Sequence, residues 1–185
     1  MGLNPWDIEK LHQGQKRLFG SMDLDNVDVI GDDPVKLSRR WEKARRWYGR
    51  CNRDWLLSTN PDSDPRSWRR HETTGDTLDL VKAAGAAAAY GAAVRVKADG
   101  GRKGFLWVGL RGKATVSLNG DVVMRQAGDT TYRVGQYQTP MELRSGENLV
   151  RFRVEPVGGK AMLSLLLTNQ ENAGDTVEGI QYSAV

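Results

Sequence analysis

One cysteine, Cys51, stands in a chain of 185 residues. An internal disulfide is therefore excluded, and the fold does not depend on an oxidising compartment. Histidine is nearly as scarce: His12 and His71 are the only two, in different segments, and neither lies near a Ser or Cys motif. The sequence also lacks G-x-S-x-G, H-E-x-x-H and the P-loop glycine pattern. A Cys51–His71 pair, with Arg50 and Arg53 supplying a positive field for a thiolate, is the one nucleophile arrangement to weigh. A structural cysteine is the simpler reading, so no catalytic residue, no enzymatic activity and no cofactor are expected.

Long apolar runs are missing too. Apolar residues make up 39% of the chain, and no run approaches the roughly 20 residues that a membrane-spanning helix needs. The opening MGLNPWDIEK has no apolar h-region and no Ser or Thr completing a myristoylation signal, so neither a secretory signal nor myristoylation is expected, and synthesis is expected inside the cell. The acidic stretch DLDNVDVIGDD clusters oxygen ligands, but counting from Asp23 puts Val27 at the fifth position and Asp28 where an EF-hand needs Gly. No metal site is expected there, and the acids are read as offsetting a basic neighbour.

Glycine, by contrast, is plentiful at 21 residues. With a low apolar content this suits short strands joined by many turns. Charge is unevenly spread. Residues 1–35 carry three basic and seven acidic side chains, residues 36–70 eleven and four, and residues 71–185 thirteen and twelve. The basic block also holds Trp41, Trp47, Trp55 and Trp68, four of the six tryptophans.

Within that block, Asp33 suits an N-cap, Pro34 the first helical position and Gly49 the end, which predicts a helix over about 34–48. Leu37, Trp41, Ala44 and Tyr48 fall on one stripe, with Arg40 and Trp47 beside it. Trp41 shares the stripe with apolar residues, so the aromatics read as a packed docking face and the arginines as its solvated flank. Arginines that neutralise phosphates beside bases stacked on aromatics would make a nucleic-acid grip, but Glu42, Asp54, Asp62 and Asp64 interrupt the patch. A shorter helix over about 5–19 and an extended segment around Leu24–Ile30 are expected before it.

STNPDSDPRSW, residues 58–68, is turn and linker chemistry. It predicts a boundary, with an N-terminal arm over 1–67 and a β domain over 68–185. In that domain RKGFLWVGL (102–110), ATVSLNGDVVM (114–124), NLVRFRVEP (148–156), AMLSLLLTN (161–169) and the closing TVEGIQYSAV read as strands. Asn119-Gly120 is a strong hairpin signal, and Gly146 and Asn148 mark a second turn. Residues 82–89 leave helix and strand open, with a strand expected from about Tyr90. The pattern predicts a mainly β chain: an antiparallel sandwich or jelly roll with a partly helical arm.

Leu118-Asn119-Gly120, followed by Leu143, Gly146 and Asn148, resembles the galactose-binding-domain-like β-sandwiches, over about residues 68–169. Leu110-Arg111-Gly112-Lys113 departs from it, standing where such modules often carry acidic residues. The resemblance implies a jelly roll and raises carbohydrate binding, for which Tyr132 and Tyr137, in a turn-rich edge segment, are the candidate stacking residues. The leading expectation is a non-catalytic structural subunit, docked through Leu37, Arg40, Trp41, Ala44, Trp47 and Tyr48 onto other subunits or further copies of itself. A virion component is the specific form of that expectation, resting on analogy of fold. A carbohydrate-binding module is the alternative, and a nucleic-acid binder the second.

Overall fold

A computed structural model describes residues 50–169 and 177–183. The predicted helix over 34–48 and the two earlier elements lie outside the described residues, as do all six docking residues from Leu37 to Tyr48.

The described chain is mainly β and antiparallel throughout. In order it forms β1 (Asp54–Ser58), a 3-10 turn (Pro65–Ser67), β2 (Arg69–Glu72), β3 (Leu78–Asp79) and the short helix α1 (Leu80–Ala84). There follow β4 (Tyr90–Ala98), β5 (Arg102–Leu118), β6 (Asp121–Asp129), β7 (Tyr137–Leu143), β8 (Gly146–Glu155), β9 (Met162–Thr168) and β10 (Ile180–Ser183). The hydrogen-bonded path runs β2-β1-β4-β8-β5-β9-β3, with β10 on β4 and both β6 and β7 on β5. No described helix is long and apolar enough to cross a membrane.

The path curls because β5 serves two layers. Residues 102–111 pair with β7 and β9, whereas residues 113–118 pair with β6 and β8. Gly112 sits at the change, with φ +126°, and a Cβ there would lie 2.7 Å from the Glu155 carbonyl oxygen. Only glycine takes that backbone so close to a neighbouring strand. The sequence read 102–110 and 114–124 as separate strands; Arg111-Gly112-Lys113 is instead a bend inside one strand of 17 residues.

Alternation then builds the core. Ala92, Val94 and Val96 of β4, Val150, Phe152 and Val154 of β8, and Val116 of β5 face Leu106, Val108 and Leu110 of β5 and Leu163, Leu165 and Leu167 of β9 in one apolar cluster. β9 is buried on both faces after its first residue, as a continuous apolar run predicts. The other reading of residues 82–89 resolves as the end of α1 followed by a coil into Tyr90.

The boundary expected at residues 67/68 falls inside the fold. β1 pairs with both β2 and β4, and Trp55 is fully buried with its ring edge against Phe152 at 5.8 Å. Residues 58–68 are no linker either. They fold over the outer face of β4 and β8, where Trp68 lies over Gly91 and beneath the Arg151 guanidinium, 5.2 Å away. Arg153 pairs with Asp62 at 2.6 Å, tying the same segment down. Turn chemistry marks a change of direction, and a change of direction need not be a domain end.

The described arginines of the basic block are already engaged within the fold. Arg53 pairs with Asp76, Arg66 with Asp64 and Arg70 with Asp54, while Arg69 donates to the Ala83 carbonyl. Trp55 and Trp68 are buried, so neither offers a ring to a base.

Cys51 is also buried, against Leu166, with Trp107 and Val134 packed on it. Burial foremost, then Asp76, pushes its thiol well above the usual range, against the weaker pull of Arg50 and Arg53. A thiolate nucleophile is disfavoured in such a place. Accordingly, a disulfide reagent such as DTNB at neutral pH should leave the native chain unlabelled and titrate one thiol after denaturation. Fast labelling of the folded protein would contradict this environment.

Candidate functional site

The site begins with the pairing of β5 and β7. Lys103 stands opposite Glu142 and Phe105 opposite Pro140, so these four share the outer face, while Gly104 and Met141 share the inner one. Gly104 lets β9 come close to β5: a Cβ there would lie 2.3 Å from the Thr168 carbonyl oxygen. From the other layer comes the turn between β5 and β6. Asn119 has φ +54° and Gly120 φ +96°, the two-residue geometry whose twist matches that of a hairpin.

Beyond the turn, β6 carries a bulge. Val116 pairs with Met124 and Ser117 with Val122, leaving Val123 as the extra residue. Its carbonyl accepts a hydrogen bond from Thr139 Oγ1 at 3.3 Å, which holds β6 against β7. Between the two layers opens a groove of about 550 Å3. Phe105, Leu118, Val123, Pro140 and Met141 give it apolar surface, and Lys103, Asp121, Glu142, Arg144 and Asn169 a polar rim. The rim side chains are all exposed, and the two cations balance the two carboxylates. Such a surface suits an uncharged ligand with an apolar face and many hydroxyls. Its volume lies within the range of about 300–1,000 Å3 usual for small-molecule sites.

The candidate tyrosines are elsewhere. Tyr132 is 5% exposed, its hydroxyl within 2.9 Å of Thr77 Oγ1 and hydrogen-bonded to Ser164, and its ring covers Gly109. Burial pushes its phenol up, out of the usual range. It is a packing residue and offers no stacking surface. Tyr137 opens β7 opposite Val108, half-buried against the core, and its hydroxyl accepts from Gln136 Nε2 at 3.2 Å. Neither lines the groove. The turn residues do reach it: Asn119 lines it directly, and Gly146, with φ +89°, and buried Asn148 lie behind its Arg144 end.

Sequence reasoning missed Phe105, Pro140, Asp121, Glu142 and Arg144. A signal existed for the first. In Lys103-Gly104-Phe105-Leu106-Trp107-Val108 two sets of residues alternate, Lys103, Phe105 and Trp107 on one face and Gly104, Leu106 and Val108 on the other. That alternation turns Phe105 outward. Trp107 is half-buried and donates from Nε1 to Thr168 Oγ1 at 2.9 Å.

No family model and no curated protein matches the sequence. Solved structures similar in outline include a family 35 carbohydrate binding module from an environmental isolate, 18% identical over 51% of this chain and 71% of that one, with a TM-score of 0.38. A β-glucosidase from Kluyveromyces marxianus is 10% identical over 63% of this chain and 16% of its own, at a TM-score of 0.44. A glycosyl hydrolase family 2 member from Bacteroides cellulosilyticus is 17% identical over 64% and 20%, at 0.41. The described residues form a mainly β, curled antiparallel architecture, as the sequence predicts. Among the described residues nothing favours the virion reading.

Proposed function

We propose that this chain is a non-catalytic carbohydrate-binding module that holds a neutral glycan in the groove between the Asn119-Gly120 turn and β7. The observation that carries the reading is the groove itself, with an apolar surface centred on Phe105 and Pro140 inside a rim of balanced charge. A pyranose ring has the matching anatomy: a face of C–H groups that packs on an aromatic ring, and an edge of hydroxyls that both donate and accept. Glu142 and Asp121 accept from hydroxyls, Lys103 and Arg144 donate to them, and Asn169 does both. The two carboxylates of the groove, Asp121 and Glu142, both lie exposed at its rim, which supports binding without bond cleavage.

Affinity electrophoresis through gels containing xylan, galactomannan or mixed-linkage β-glucan tests this. The wild type should be retarded by at least one of them without releasing reducing sugar. Phe105→Ala should weaken retention about three- to tenfold, the loss of one aromatic contact. Glu142→Gln should weaken it while leaving the melting temperature unchanged. Free migration of the wild type through every gel, or retention indifferent to both changes, would sink the reading.

A further inference from the structure

We infer that Asn148, which does not itself line the groove, is the positioning residue that sets the groove's width for its ligand. The inference rests on the carbohydrate reading above. Asn148 is the third residue of β8 and is only 2% exposed. Its Oδ1 accepts from the Arg144 backbone N–H at 2.8 Å and from Asn119 Nδ2 at 2.9 Å. Its Nδ2 donates to the carbonyls of Arg144 at 2.8 Å, Gly146 at 3.2 Å and Val96 at 3.3 Å. An amide has two hydrogens and two lone pairs, so one buried side chain is fully occupied in joining three pieces of backbone and a second asparagine.

Two of those partners, Asn119 and Arg144, belong to opposite walls of the groove. Asn119, which Asn148 grips, leads directly into Asp121 on one wall; Arg144, which it holds at both N–H and carbonyl, follows Glu142 on the other. Asn119 completes the link, accepting from the Leu149 N–H at 3.0 Å through Oδ1 and donating its own N–H to the Leu149 carbonyl at 2.9 Å. The two turns are far apart in sequence, and this asparagine clasp closes them on each other. The spacing between the Asp121 side and the Arg144 side is thereby fixed before any ligand arrives, and preorganisation of that kind lowers the cost of binding.

Asn148→Asp is the test, because aspartate keeps the size and the acceptor oxygen but replaces the donor amide with an oxygen facing three carbonyls. Leu57→Ala, a buried change on β1 away from the groove, serves as a control for lost stability. Both variants are run on the same three polysaccharide gels, well below their melting temperatures. Asn148→Asp should weaken retention about tenfold, the scale of a lost buried hydrogen-bond set. Leu57→Ala should hold retention within about twofold, as a distant site should. In the same samples, exchange of the Arg144 and Leu149 backbone amides should accelerate in Asn148→Asp alone. If Asn148→Asp binds like the wild type, or if Leu57→Ala loses as much affinity, the positioning role is overturned while the carbohydrate reading stands. If the wild type is retained by no gel, the carbohydrate reading falls and this role in affinity falls with it.

Discussion

Trp55→Ala is expected to lower the stability of the fold by about 3–5 kcal/mol, the usual consequence of removing a fully buried aromatic side chain. Trp55 has no exposed surface, packs edge-on against Phe152 and belongs to the central cluster. Few domains have more than about 5–15 kcal/mol to lose, so the variant should sit near the edge of folding at room temperature. A chain beginning at Trp68 lacks β1 altogether, exposing the edge of β4 that pairs with Leu56 and Leu57, and should not fold. Urea titration by fluorescence measures the first effect and circular dichroism the second. A cooperative, wild-type-like transition in the shortened chain would show that β1 is dispensable and that the body does start at Trp68.

Gly112→Ala is the second large effect, at about 2–4 kcal/mol. Two penalties act together there: φ is +126°, and the new methyl would press on the Glu155 carbonyl oxygen and on Val154 Cγ1, 3.1 Å away. Gly120→Ala separates them. Gly120 has φ +96° with nothing within 4 Å of its would-be Cβ, so it should cost only about 1–2 kcal/mol from the left-handed backbone. The difference between the two melting transitions isolates the steric part. Equal losses would mean that the close approach of β5 to β8 relaxes at no expense, and the bend would then not depend on a bare Cα.

Much of this architecture is visible in the sequence, and for identifiable reasons. Val150, Phe152 and Val154 alternate with Arg151 and Arg153, and β8 forms there with the valines and phenylalanine inward. Asn119-Gly120 marks its turn because few other residue pairs accept two positive φ angles in succession. β1 and β7 were not visible. Asp54-Trp55-Leu56-Leu57-Ser58 lies in a strongly basic, Trp-rich stretch whose composition drew the eye to its charges. Tyr137–Leu143 contains Pro140, which is tolerated because β7 borders only β5 in its sheet. The groove was the least legible part. It joins residues 103–105 to 118–123 and 140–144, and the contacts that assemble it are long-range pairings that neither periodicity nor turn chemistry encodes. Tyr132 misled for a related reason: a turn-rich segment predicts exposure, but Gly109 leaves a vacancy on the opposing strand that the ring fills.

The continuity of β5 has an effect on cooperativity. Lys103 and Phe105 at one end of this strand and Leu118 at the other all line the groove, although they belong to different layers. Neither layer can open locally without taking one wall of the groove away. A ligand gripping both walls therefore resists the global transition, and its binding energy is spread over the whole sandwich. Occupancy should raise the melting temperature with the logarithm of ligand concentration, by the equivalent of about 2.7 kcal/mol at a hundred times Kd. Amide exchange should slow in β4, which contributes nothing to the groove, as much as beside the ligand.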